Sequence, residues 1–356
     1  MMPKWTWIAP VLAIALLGLA QFVATTPILA LIDAIALMGA VFAAVHHAEV
    51  VAHKLGEPFG TLVLAVAVTV IEASLILSLM MGSDQASPTL ARDTLYAAVM
   101  IICTGVVGLC VLLGGLRHRE QSFRVEGAGA GFAALIAMSG MTLVLPSFTL
   151  STAGATYNVP QLAFVAVMSL LLWAVFVFVQ TIRHRDYFLP PSQRAGLDEH
   201  AAPPSSAQAW ASFGLLLVSL IAVVGLAKTI SPSIERAVVA VGAPKAVIGI
   251  IIAILVLLPE TWAAVRAARA DRLQTSINLA IGSALASIGL TVPVVAVASI
   301  AFDLPLVLGL ADKELVLLVM TFMVSMVTLA TGRTHVMLGA IHMVLFMAFL
   351  FLALVP

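Results

Sequence analysis

Apolar runs long enough to cross a bilayer recur along the whole 356-residue chain, with only short polar breaks between them. About twenty apolar residues wound at about 1.5 Å each span a hydrocarbon core about 30 Å thick. Inside that core each backbone N–H and C=O must be satisfied within its own segment, which leaves helices. Composition agrees: 62% of the residues are hydrophobic and 10% charged, against about 45–50% and about 25% in soluble domains. The runs read as eleven spans, at roughly 5–23, 27–45, 58–81, 95–115, 128–146, 160–181, 210–229, 244–266, 275–300, 314–331 and 336–355. The expected fold class is an all-α polytopic membrane protein surrounded by lipid. Its formal net charge is zero, so no basic surplus points to nucleic acid, and oligomeric state has no signal in the sequence.

The first apolar run follows a lone Lys4 and superficially resembles a secretory signal. It reads as a retained helix, because the next hydrophobic segment begins almost at once and no soluble domain follows. Cys103 and Cys110 lie seven residues apart within one apolar segment and read as small core residues.

Lys and Arg set the expected orientation. Twelve of the seventeen (Lys4, Lys54, Arg117, Arg119, Arg124, Arg183, Arg185, Arg194, Arg266, Arg269, Arg272, Arg333) fall in connections on the N-terminal side of the membrane, and Arg92, Lys228, Arg236, Lys245 and Lys313 on the other. The positive-inside rule then puts the N-terminus in the cytoplasm and the C-terminus outside. The longest connection, RHRDYFLPPSQRAGLDEHAAPPSSAQ, reads as a flexible cytoplasmic linker.

That linker separates two sets of five spans. Residues 1–25 form an N-terminal helix, 26–182 a first repeat, 183–209 the linker and 210–356 a second repeat. Five is odd, so the second set enters the membrane upside down relative to the first. In each set the second span carries one carboxylate deep in an apolar run: Glu72, fifteen residues after Glu57, and Glu260, fifteen after Lys245. Glu72 is at least about 14 Å from either end of its run. Ionisable groups at such depth line ion or proton pathways, and inverted repeats place substrate sites near the midplane, often beside interrupted helices. Pro259, next to Glu260, is expected to interrupt the second of these helices; the first has no proline at that place.

One helix followed by two inverted five-helix repeats, each with a signature glutamate, resembles the cation/calcium exchanger superfamily. The strings GEPFGTLVLAVAVTVIEASLI, LRHRE, LPETWAAVRAARADRLQTSINLAIGSALASIGLTVP and TGRTHVMLGAIHMVLFMAFLFLALVP are similar to its bacterial calcium/proton (sodium/proton) antiporter branch. The resemblance implies that Glu72 and Glu260 bind cation and protons in competition, and that Ser283 lines the site, with Asn278 and Ser287 as further candidates. Thr69 and Thr104 are additional small polar candidates, although such residues also make ordinary interhelical contacts. The superfamily's Gly-Asn pair ahead of the glutamate has no counterpart; Val68-Thr69 and Val256-Leu257 stand there. Calcium takes six to eight oxygen ligands, so hydroxyls, backbone carbonyls and water would complete a shell begun by two carboxylates.

The function expected is export of Ca²⁺, Na⁺ or K⁺ against inward protons across a bacterial inner membrane, with no cofactor beyond the transported ions. A purely monovalent Na⁺ or K⁺/H⁺ antiporter is the alternative. An intramembrane metalloenzyme would need a clustered set of ligands, whereas the eight histidines are scattered. In HHAEVVAHKLGE, His46, His47 and His53 lie where hydropathy ends the second span, and are expected to form a cytoplasmic pH sensor or a solvated polar collar. His335 and His342 are expected to share a face of the last helix.

Overall fold

The computed structural model describes residues 3–23, 26–56, 59–82, 88–189 and 204–355. Among them are eleven helices: α1 Trp5–Ala20, α2 Pro27–Leu55, α3 Phe59–Gly82, α4 Leu90–His118, α5 Val125–Phe148, α6 Val159–Arg183, α7 Ser206–Ala240, α8 Ala246–Arg269, α9 Leu273–Phe302, α10 Asp312–Ala330 and α11 Val336–Leu354. All but α1 are long and apolar enough to span a bilayer. The chain is an integral membrane protein. Arg194 and Glu57, used above for charge and spacing, lie outside the described residues.

Several helix ends differ from the hydropathy reading. Helix α2 starts on a Thr26 cap, whose side chain accepts from Leu29 N at 3.2 Å, with Pro27 at its first position. It runs 29 residues to Gly56, whose φ of +70° a glycine adopts without strain. At about 44 Å it outreaches the hydrocarbon core, so the histidine segment lies within the helix rather than beyond it. Helix α7 begins earlier than expected, on a Ser205/Gln208 capping box, and continues through Pro232 to Ala240.

The packing resolves into two compact units, Met1–Leu90 with Glu199–Ile248 and Ala91–Asp198 with Gly249–Pro356. In the first, α2 packs against α1, α3 and α7. His47 sits near the C-terminal end of α2 and reaches Ser212 near the N-terminal end of α7, so these helices run antiparallel.

In the second unit the connections sort cleanly between two ends. One end carries a short antiparallel ribbon of β1 Glu120–Ser122 and β2 Arg333–His335, in the register Glu120↔His335, Gln121↔Thr334, Ser122↔Arg333. The α8–α9 turn joins it, with Gln121 Nε2 donating to Ala268 O and to Asp271 Oδ1, each at 2.9 Å. So does the segment after α6, held by Arg124 to Asp186 O at 2.8 Å and by Asn278 to Phe188 O at 2.6 Å. The start of the expected flexible linker is thus tied down; its residues 190–203 lie outside the described residues. At the opposite end Arg92 donates to Gly309 O at 3.1 Å, Ser147 to Leu310 O at 2.7 Å, and Lys313 to Leu352 O at 3.0 Å.

This sorting fixes direction. Helices α4 and α6 end at the ribbon, where α9 and α11 begin, and α5 begins where α10 ends. Each helix of α2–α6 is antiparallel to its counterpart in α7–α11 wherever both lie in one unit. The fold is therefore one N-terminal helix followed by two inverted five-helix repeats.

Candidate functional site

Glu72 lies on α3 in the first unit and is buried, with 2% of its surface exposed. Nothing in the local sequence interrupts the helix around it: Val68 to Ile71 is β-branched without proline or glycine, and α3 is continuous from Phe59 to Gly82. Thr69, one turn before Glu72, shares its face. Its hydroxyl is buried and has no hydrogen-bond partner among the described residues.

Glu260 lies on α8 and is half-buried. The expected interruption at Pro259 is not seen, because α8 continues through the proline from Ala246 to Arg269. Proline still removes the N–H that would bond four residues back, at Leu255, so the helix keeps its shape while one carbonyl loses its helical donor. The interrupted geometry falls elsewhere. Helix α4 widens into a π-helical stretch at Ile101–Val106, and α5 ends in a π stretch at Gly140–Val144 followed by a tight turn through Pro146.

Depth within the second unit places the other candidates. Gly249 leaves no room for a Cβ beside the Asp93–Thr94 backbone, so α8 and α4 lie in close contact there and run in the same direction. Eleven residues on from Gly249 is Glu260; ten on from Thr94 is Thr104, which is fully buried in the π stretch and donates to Met100 O. Across the α8–α9 turn, Ser283 lies ten residues into α9 and Glu260 nine residues before the end of α8. Thr104 and Ser283 are therefore level with Glu260, on the order of 14 Å inside the ribbon end. The Ser283 hydroxyl has no hydrogen-bond partner among the described residues. Ser287 is buried one turn farther in.

Asn278 departs from the expectation. Its amide oxygen accepts from Gln274 at 2.9 Å and its nitrogen donates to Phe188 O, so its polar atoms hold the segment after α6 instead of facing the level of Glu260. His47 is fully buried, with Nε2 2.9 Å from Thr6 O and Nδ1 3.3 Å from Ser212 Oγ. It pins α1 and α7 to α2 and is not part of a solvated polar collar. His46 packs between the rings of Trp5 and His47, and His53 alone of the three is exposed. His335 sits on the ribbon, not on the last helix, while buried His342 meets Thr328 Oγ1 at 3.0 Å. Cys103 and Cys110 are free and buried.

One intramembrane carboxyl escaped the sequence reading. Asp33 on α2 is fully buried, and neither oxygen has a hydrogen-bond partner among the described residues. The same rule that singles out Glu72 applies to it, namely a carboxylate inside an apolar run.

One N-terminal helix followed by two inverted five-helix repeats, each with a glutamate in a membrane-spanning helix, is the arrangement of a membrane transporter. The family model described as "Sodium/calcium exchanger protein" matches residues 25–182 and 211–355. The chain belongs to that family, within the cation/calcium exchanger superfamily of cation/proton and calcium/proton antiporters. It is 45% identical over 99% of its length to "Putative ionic transporter y4hA" of Sinorhizobium fredii, covering 97% of that protein. It is 36% identical over 96% of its length to "Sodium-potassium/proton antiporter ChaA" of Escherichia coli, covering 94% of it. Among solved structures, native YfkE superposes with a TM-score of 0.76 at 17% identity, covering 99% of this chain and all of that one, which is a likeness of fold.

Proposed function

We propose that the protein exports Ca²⁺, Na⁺ or K⁺ from the cytoplasm in exchange for external protons, by alternating access, with Glu72 and Glu260 binding cation and protons in competition. The observation that carries this reading is the repeat-related pair of carboxyls, one in each inverted half, both within membrane-spanning helices. An ionised carboxylate is costly at that depth. Each glutamate is stable there as the neutral acid or as the anion paired with a cation, so loading one ligand expels the other. The hydroxyls of Thr69 and Ser283 have no hydrogen-bond partner among the described residues and are suited to add oxygen ligands.

The charge distribution supports the direction. Arg117, Arg119, Arg124, Arg183, Arg185, Arg266, Arg269, Arg272 and Arg333 belong to the ribbon end of the second unit, against Arg92 and Lys313 at the other. By the positive-inside rule the ribbon end is cytoplasmic. With eleven single crossings the N-terminus shares that side and the C-terminus is external. The bacterial sources of the relatives fit an inner-membrane location.

A monovalent reading has its own support, since the relative at 36% identity is named as a sodium-potassium/proton antiporter, whereas those named as Ca²⁺/H⁺ antiporters stand at 23% and 22%. Dissipation of an imposed ΔpH in everted membrane vesicles, with Ca²⁺, Na⁺ and K⁺ added separately, separates the two. A response to calcium supports divalent exchange, and a response to sodium or potassium alone supports the monovalent reading.

A further inference from the structure

We propose that Asp33 is a second membrane-embedded proton-binding carboxyl of the first unit, lying on the route between the outer end of α2 and the level of Glu72. The inference rests on the antiport reading above and extends it to a residue outside the glutamate pair.

The position of Asp33 follows from two registers within the first unit. His47 meets Ser212 across the antiparallel α2–α7 pair. Counting fourteen residues back along α2 and fourteen forward along α7 sets Asp33 level with Leu226, beside Gly225, which packs on Leu17 of α1. Gly60 of α3 lies directly against the Ala52 backbone of α2. Twelve residues along each helix from that contact bring Glu72 level with Ala40. Asp33 and Ala40 are seven residues apart and share a face of α2, so Asp33 is about 10 Å closer to the outer end than Glu72.

Among the described residues, the charged groups on the elements packed against α2 give Asp33 no ion pair. Helix α1 has no ionisable residue. On α7, Lys228 is exposed, Glu235 pairs with Lys245 at 3.3 Å, and Arg236 bonds Pro232 O and Ser233 Oγ. Helix α3 contributes Glu72, which is itself acidic. The remaining titratable groups of α2, from His46 to Lys54, begin thirteen residues away. A carboxylate buried in apolar surroundings with no protein partner is unstable as the bare anion. Asp33 is therefore placed to carry a proton in this conformation. When the outer end admits water, its O–H proton passes to that water, leaving the carboxylate, and a proton from the external phase restores the acid. Only an O–H bond breaks and forms.

Dicyclohexylcarbodiimide tests this without relying on transport. A protonated membrane carboxyl adds across its N=C=N group, and the O-acylisourea rearranges to a stable N-acylurea that retains the whole reagent, so mass spectrometry of peptides locates the adduct. In membranes containing the full chain, the Asp33 peptide is expected to carry the adduct, increasingly as pH falls, in both wild type and E72Q. In everted vesicles, D33N is expected to slow exchange roughly tenfold or more, as loss of a proton-transfer group does, and to flatten its dependence on luminal pH. D33E should restore both. Absence of the adduct at every pH that supports exchange would overturn the proposal, and so would a D33N variant with wild-type rate and luminal pH profile. If D33N fails to insert, the adduct and D33E decide. Near-normal exchange in E72Q would refute the glutamate pair yet leave the adduct result at Asp33 standing, so the two failures are distinguishable.

Discussion

At the scale of single residues, how a polar group is satisfied separates structural from functional roles. His47 has both ring nitrogens engaged between α1 and α7. Replacing it with Ala should lower thermal stability in detergent by about 1–3 kcal/mol for each buried partner left unsatisfied, without moving the pH profile of exchange. A shifted profile at unchanged stability would restore the sensor role. Thr69 and Ser283 present the opposite case, with hydroxyls that find no protein partner among the described residues. Their Ala variants should raise the half-saturating cation concentration severalfold while leaving the maximal rate nearly intact, as read from cation titrations of proton flux. The placement of Glu72 and Glu260 inside spanning helices was legible in the sequence, because a carboxylate deep in an apolar run needs only one-dimensional information. The histidine segment was misplaced because hydropathy falls where partners on other helices satisfy polar side chains, although the helix itself continues. The bond from Asn278 to Phe188 O, ninety residues away, is likewise invisible to local reading.

At the scale of elements, close approach and connection geometry matter more than helix propensity. Gly339 of α11 has no space for a Cβ against the Leu112 backbone of α4, so Gly339→Leu should prevent α11 from docking. The check is loss of the monodisperse species in detergent, and a well-behaved variant would contradict that contact. The ribbon offers a direct test of topology. Glu120 and His335 are antiparallel partners, close enough for a disulfide, so an E120C/H335C variant should cross-link within one chain under mild oxidant. No cross-link would mean that the α4–α5 and α10–α11 connections do not share a side. The existence and order of the spans were readable from hydropathy. The π stretches of α4 and α5, the ribbon, and the unbroken passage of α8 through Pro259 were not, because each depends on packing or on backbone satisfaction that composition does not encode.

At the scale of the whole molecule, the proposed direction rests on inversion and charge asymmetry together. Five spans per repeat give the two halves opposite polarity, and the positive-inside rule applied to the arginine-rich ribbon end predicts a cytoplasmic location for it. A C-terminal reporter should therefore be active only when exported; activity confined to the cytoplasm would contradict the eleven-crossing topology. The central claim is that both glutamates are exchanged between cation and proton, and it is most directly tested by cation-dependent proton flux in everted vesicles for wild type, E72Q and E260Q at matched expression. Gln preserves volume and hydrogen bonding but cannot ionise. The account predicts flux in wild type with at least one of Ca²⁺, Na⁺ and K⁺, and none in either variant although both insert. Flux near that of wild type in either variant would contradict it.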